Sequence, residues 1–208
     1  MMNKITLLLF CLAFSIIACQ SKDPNEMQKQ EKKPTAVIEA PINSINDGVF
    51  NNTEIGWTIE IPEGWERIEN KEEDPSDPQM NYVNIKSLIS FRKGEYNLFQ
   101  STIEPFEMNY QGEWQENERA LKYVIYQTYE SQGIIIDTTV TVSEEIDGVH
   151  FHTYSFSISD KATKNVMEQI IYRAPIHGYE FGVVITSNNE EDKEDLLTAF
   201  RNSKFHNK

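Results

Sequence analysis

"IIIDTTVTVSEEIDGVHFHTYSFSIS", residues 134–159, alternates apolar and polar side chains over most of its length and breaks at Asp147-Gly148. Ile134, Ile136, Thr138, Val140 and Val142 fall on one side of an extended chain, the period of two expected of a strand half-buried in a sheet. Asp-Gly readily adopts the positive φ angles of a tight hairpin turn, so Ile134–Glu144 and Val149–Ser159 should be antiparallel neighbours. A link this short leaves no room for a crossover helix.

The same pattern recurs on both sides. Asn165–Ala174 and Gly178–Ser187 read as a strand pair around Pro175-Ile176-His177, and Ser87–Glu104 as two strands around Lys93-Gly94. "VFNN" (49–52) and "GWTIEIPEGW" (56–65) add two short strands. In the second, Trp57, Ile59 and Ile61 share a face, Pro62-Glu63-Gly64 ends the run, and Trp65 is a packing anchor. Helical spacing occurs twice. In Glu113–Gln132, Trp114, Leu121, Val124, Ile125 and Thr128 follow the 3.6 period, acids enrich the first turns, and Gly133 stops the helix. Glu190–Ser203 turns Leu196, Leu197 and Phe200 inward, with Asn188 as cap and Glu191 completing a capping box. Strands in a meander between two separated helices predict an α+β fold, an antiparallel β-sheet covered by helices, within one domain at 48–208.

With 208 residues, 39% of them hydrophobic and 11% aromatic, the chain can bury a sizeable core. Its 19 Lys and Arg against 33 Asp and Glu leave a net charge of −14. A surface this acidic repels phosphate backbones, which excludes nucleic acid as an expected partner.

The N-terminus carries a different signal. Met1-Met2-Asn3-Lys4 is short and positive, and Ile5–Ala18 is an apolar run interrupted by Thr6 and Ser15. Its fourteen residues would span only about 21 Å as a helix, short of a bilayer core, and read as an export signal over residues 1–18. Ile16-Ile17-Ala18-Cys19 resembles the bacterial lipoprotein box. That resemblance implies cleavage before Cys19, lipidation of its sulfur and acylation of the new amino group. Two or more acyl chains hold a protein stably at a bilayer, at about 0.8 kcal/mol per buried methylene. Gln20 after the cysteine, rather than Asp, resembles the sorting signal of outer-membrane lipoproteins.

Cys11 leaves with the signal and Cys19 is taken by lipid, so the domain would have no free thiol for disulfides, nucleophilic catalysis or thiolate metal sites. From Gln20 to Asp47 no aromatic residue occurs, and Pro24, Pro34 and Pro41 are spread among Gln, Lys, Glu and Asn. This is tether composition, and residues 19–47 are expected to be a lipidated leash reaching roughly 30 Å as a random coil.

Two short motifs and the element order together resemble the PsbP-like family. Its opening strand ends in a Pro-x-Gly-Trp corner, matched by Pro62-Glu63-Gly64-Trp65, and its closing helix runs into Ser-x-Phe, matched by Ser203-Lys204-Phe205. The resemblance covers roughly residues 48–206. It implies an α/β/α sandwich and a binding or accessory role, because the family shares no single catalytic chemistry.

Candidate chemistry is sparse. His150 and His152, at i and i+2 of a strand, project from one face about 7 Å apart and could both reach one ion. His177, Asp137 or Glu144 could supply a third ligand, yet such histidines on a strand are more commonly ordinary packing or surface groups. Carboxylate pairs such as Glu144-Glu145 or Glu60 and Glu63 are fixed by no motif. "EEDPSD" (72–77) lacks the ladder of a calcium loop. Neither a Gly-x-Ser-x-Gly elbow nor a glycine-rich phosphate cradle occurs, and no cofactor is expected. Phe106, Tyr110 and Trp114, around "EPFEMNYQGEW" (104–114), lie in a connection and could contact a protein or glycan.

The expectation is thus a lipid-anchored, extracytoplasmic, non-catalytic module of the cell envelope, held at the outer membrane, with an envelope protein or glycan partner. Its possible binding surface comprises Phe106, Tyr110, Trp114, His150 and His152. The alternatives are a metal-dependent hydrolase built on His150 and His152, and a protective or immunity lipoprotein.

Overall fold

The computed structural model describes residues 42–69, 85–159 and 166–206. Cys19, the signal, the tether up to residue 41 and the acidic segment 72–77 lie outside the described residues.

The fold is α+β, with every strand pairing antiparallel. A four-stranded sheet has the order β1 (Asn43–Asn46), β2 (Val49–Asn52), β3 (Trp57–Glu60), β12 (Lys204–Phe205). The larger sheet runs β4 (Glu66–Ile68), β5 (Lys86–Lys93), β6 (Asn97–Pro105), β11 (Tyr179–Ser187), β10 (Val166–Ile176), β9 (Val149–Ser159), β7 (Ile135–Thr138). Strand β8 (Val142–Ile146) pairs with β9 beside β7. Helix α1 spans Glu113–Ser131 and α2 spans Glu190–Arg201.

Alternate residues of the large sheet feed two cores. On one face Phe91, Phe99, Phe151, Tyr172, Phe181 and Val183 join Trp57 of the small sheet and Leu196, Leu197 and Phe200 of α2. Trp57 is fully buried between the sheets, 4.8 Å from the Phe181 ring and 5.7 Å from Phe50. On the other face Tyr154, Phe156, Ile158, Ile171 and Val184 pack against Leu121, Ile125 and Tyr129 of α1. Each fully buried aliphatic or aromatic side chain contributes about 1.5–3 kcal/mol. Trp65 is buried, as expected of an anchor, and meets Phe91 edge-on at 6.0 Å.

Five details differ from the sequence expectations, each for a local reason. Strand β1 begins at Asn43, within the stretch given to the tether. Ile45 packs against the core, and Asn43 Oδ1 accepts a hydrogen bond from Asn52 Nδ2 at 2.8 Å. The run Ile134–Glu144 is two strands rather than one. Register changes by one between Thr138↔Phe156 and Val142↔Thr153, so three residues, 139–141, oppose Tyr154-Ser155 as a bulge. That extra residue moves the even positions from one face to the other. Ile136 and Thr138 pair with residues of the α1 face, while Glu144 and Ile146 lie on the α2 face. Val140 and Val142 are left exposed at the edge.

The buried stripe of α1 is Trp114, Glu118, Leu121, Ile125 and Tyr129, while Val124 is exposed and Thr128 half-buried. Pro175 and Ile176 belong to β10. The turn is His177-Gly178, both at positive φ like Asp47-Gly48 and Asp147-Gly148, and each of these pairs closes a hairpin. The cap of α2 is Asn189, whose side chain accepts the Asp192 N–H at 2.9 Å.

Candidate functional site

Helix α1 brings its first turns over the sheet near the ends of β6, β9 and β10. Gly112, in the left-handed region at φ 96°, turns the chain into the helix, and Asn109 ties itself to Glu113 through backbone and side-chain hydrogen bonds. Those bonds hold the Glu113 carboxyl below the usual glutamate range, with the side-chain bond to Asn109 the largest cause. Tyr110 is half exposed, and its hydroxyl donates to Glu116 at 2.9 Å, which raises the phenol above its ordinary value. Phe106 is half-buried, with its N–H bonded to the Gly178 carbonyl at 2.8 Å. Loop 106–112 is therefore braced at both ends, and Met108 and Tyr110 face outward.

The five residues singled out from sequence have different surroundings. Trp114 is buried against His152, ring centroids 4.5 Å apart. His150, across from Glu145, is exposed, with Nε2 3.6 Å from that carboxylate. The two histidines thus have different partners. Glu144, one proposed third ligand, is engaged by Tyr172 and Arg201. Among the described residues no three His, Cys, Asp or Glu side chains come together as a metal-holding group.

Behind Trp114 lies a cluster that sequence reasoning missed. Arg173 of β10 is buried and contacts Glu118 of α1 through Nε at 2.9 Å, Glu180 of β11 through Nη2, and Glu104 of β6 at 3.5 Å. The Nε–H is not aligned on Glu118, so that contact is charge pairing without a formed hydrogen bond. Burial pushes the Glu118 carboxyl up, while Arg173 opposes the shift. Tyr154, directly behind, is pushed up by burial and then by the Glu118 charge, and its hydroxyl has no hydrogen-bond partner among the described residues. Lys122 lies over the Tyr154 ring at 4.9 Å and donates to the Thr139 carbonyl, and burial depresses its ammonium. A signal was available in the sequence. Arg173 is the lone cation of an apolar strand, and Glu118 falls in register with Trp114, Leu121 and Ile125. Beside the cluster, Leu121, Ile125, Ile171, Val184 and Arg173 line a small, partly open cavity of about 10 Å³, room for at most one water.

This arrangement joins four elements through one guanidinium and presents no nucleophile paired with a base. No described helix is long and apolar enough to cross a membrane. No sequence-family model matches the chain, and no curated protein does either. Among solved structures, the solution structure of cyanobacterial PsbP (CyanoP) from Synechocystis sp. PCC 6803 is similar at 12% identity and a TM-score of 0.54. That similarity covers 83% of this chain and 98% of that one. A crystal structure from Bacteroides thetaiotaomicron VPI-5482 matches at 9% identity and a TM-score of 0.44, over 77% of this chain and 49% of that one. What the chain shares with cyanobacterial PsbP is a fold.

Proposed function

We propose that this protein is a lipid-anchored, extracytoplasmic accessory module of the cell envelope that works by contact rather than catalysis. Ile16-Ile17-Ala18-Cys19 carries this reading, standing ahead of a polar, proline-spaced stretch and a PsbP-like domain. Lipid on Cys19 would hold the domain at a membrane, the outer one by the Gln20 signal, and the stretch that follows would let it reach a partner. The placement of α1 against one face of the large sheet, and of α2 with the small sheet against the other, supports the three-layer sandwich expected of this fold. Loop 106–112 is the contact surface we assign, because its outward Met108 and Tyr110 stand on a braced backbone.

Expression of the full chain with Cys19→Ser tests the anchor. The mature N-terminal peptide of the native chain should carry lipid mass, and the variant should leave the membrane fraction. An unmodified Cys19 would remove the anchoring proposal. A photo-crosslinking residue at Tyr110 should capture an envelope partner that one at exposed Glu130 does not. Equal capture at both positions would remove the contact assignment.

A further inference from the structure

The cluster under α1 is out of charge balance. Arg173, Glu118 and Glu180 are each about 95% buried, while the Glu104 side chain, 34% exposed, stands at the rim. One guanidinium faces three carboxylates. If all were ionised, the buried trio alone would hold one uncompensated negative charge among Leu121, Ile125, Ile171 and Val184, where little water can enter. Burying an unpaired charge is costly enough that such groups keep a proton instead.

The other groups facing the cluster do not restore balance. Tyr154 and His152 come from β9, His152 being the cross-strand neighbour of Arg173. His152 is held neutral-leaning by burial, and Tyr154 chiefly by burial. Lys122, one turn along α1, directs its ammonium to the Thr139 carbonyl at the sheet edge. Glu180 Oε1 and both Glu118 oxygens are buried without a formed hydrogen bond, and of these two carboxylates Glu118 has both oxygens so placed.

We propose that the Arg173 cluster retains one proton, carried on Glu118, and that its loss loosens the first half of α1 from the sheet. Glu118 is the cluster's sole member on α1, so its ionisation state reports directly on the seating of the helix. The direction follows from linkage. A carboxyl whose proton is held more tightly folded than unfolded contributes stability that is complete below the unfolded pKa, and this is lost as pH rises through the folded pKa. α1 should therefore seat more firmly under mildly acidic conditions than under alkaline ones. His152 acts with the opposite sign, because burial disfavours the charged form that acidification would produce.

Hydrogen exchange of the full-length protein between about pH 5 and about pH 8, corrected for intrinsic rates, tests this. Protection of α1 amides should fall relative to β10 and β11 as pH rises, by at most about tenfold per pH unit, the limit for one proton. Glu118→Gln should flatten that slope and leave α1 better protected at the alkaline end, whereas His152→Gln should leave the alkaline-side slope in place. Parallel behaviour of α1 and the sheet in the native protein, or an unchanged slope in Glu118→Gln, would overturn the proposal. Should Glu118→Gln fail to fold, ¹³C titration of the native glutamate carboxyls decides. One carboxyl titrating well above the ordinary range is expected, and none doing so refutes it.

Discussion

Trp114, in the first turn of α1, lies against His152 of β9 with ring planes inclined by 53° and centroids 4.5 Å apart. The indole is buried and the imidazole half-buried, so the contact fixes the start of the helix on the sheet. Burial depresses the His152 pKa. A histidine with a lowered folded pKa contributes stability above its unfolded pKa, near 6.5, and this is lost as pH falls through the folded value. Melting temperature should therefore drop on acidification below about pH 6.5, and His152→Phe should remove that component. Trp114→Ala should cost about 3–5 kcal/mol in denaturant unfolding. A loss under 1 kcal/mol would show that α1 is seated without this contact.

Gly56 precedes β3 at φ 65°, and its carbonyl accepts the His206 N–H at 2.6 Å. A Cβ at this position would overlap the His206 carbonyl oxygen. Gly56→Ala should therefore displace the chain end that carries β12, in addition to a backbone cost of about 1–3 kcal/mol. Proteolysis at the C-terminus should rise with the loss of stability. Gly94, at φ 70° with open space around it, supplies the control, and Gly94→Ala should cost only the backbone part.

Hairpins were legible because turn chemistry is local. Asp147-Gly148 and the alternation in Val149–Ser159 needed no knowledge of the rest of the chain, and the buried Leu196, Leu197 and Phe200 followed from helical spacing alone. The bulge at 139–141 was not legible, because alternation continues through it and only the register with β9 shows the extra residue. The face of α1 was misjudged for a related reason. Its stripe contains Glu118, whose burial depends on Arg173 fifty-five positions away. A lone Arg173 and a Glu118 on the apolar stripe hint at buried charge, but nothing local says that they meet, so the candidate site was the least legible part. His150 and His152 attracted attention by spacing, yet their partners, Glu145 and Trp114, are set by tertiary placement.

Asn97 joins the start of β6 to the cap of α2. Its Nδ2 donates to Asp192 at 2.7 Å and its Oδ1 accepts the Asn188 N–H at 3.1 Å. Asp192 is further held by Lys93 at 2.6 Å and by Asn189, and the Lys93 bond is the main reason its carboxyl lies below the usual range. Asn97→Ala would leave a part-buried backbone donor and a buried carboxylate oxygen short of partners, at a cost of about 1–3 kcal/mol. Asn97→Asp should be worse at neutral pH, since it sets a second carboxylate against Asp192, and should recover relative to Asn97→Ala on acidification. Denaturant midpoints of the two variants at two pH values check both statements, and an Asn97→Asp variant as stable as the native chain would contradict them.

Glu144 of β8 ties the sheet edge to α2. Its Oε1 accepts Arg201 Nε at 2.7 Å, and its Oε2 accepts the Tyr172 hydroxyl at 2.9 Å. Burial alone would raise this carboxyl, but the bonds from Arg201 and Tyr172 outweigh it and hold the pKa below the ordinary value of 4.5. The same arrangement lifts Tyr172 to about 12, through burial first and then the Glu144 charge. A depressed carboxyl contributes stability present above its unfolded pKa, and this is lost as pH falls through the lower folded value. Glu144→Gln keeps an acceptor for Tyr172 but removes the charge facing Arg201, a partly exposed pair expected to contribute about 0.5–1 kcal/mol at neutral pH. The native chain and the variant should therefore differ at pH 7 and converge in acid, as the pH falls through the lowered pKa of Glu144. A difference that persists undiminished in acid would mean that shape, rather than charge, sets the contribution of this contact.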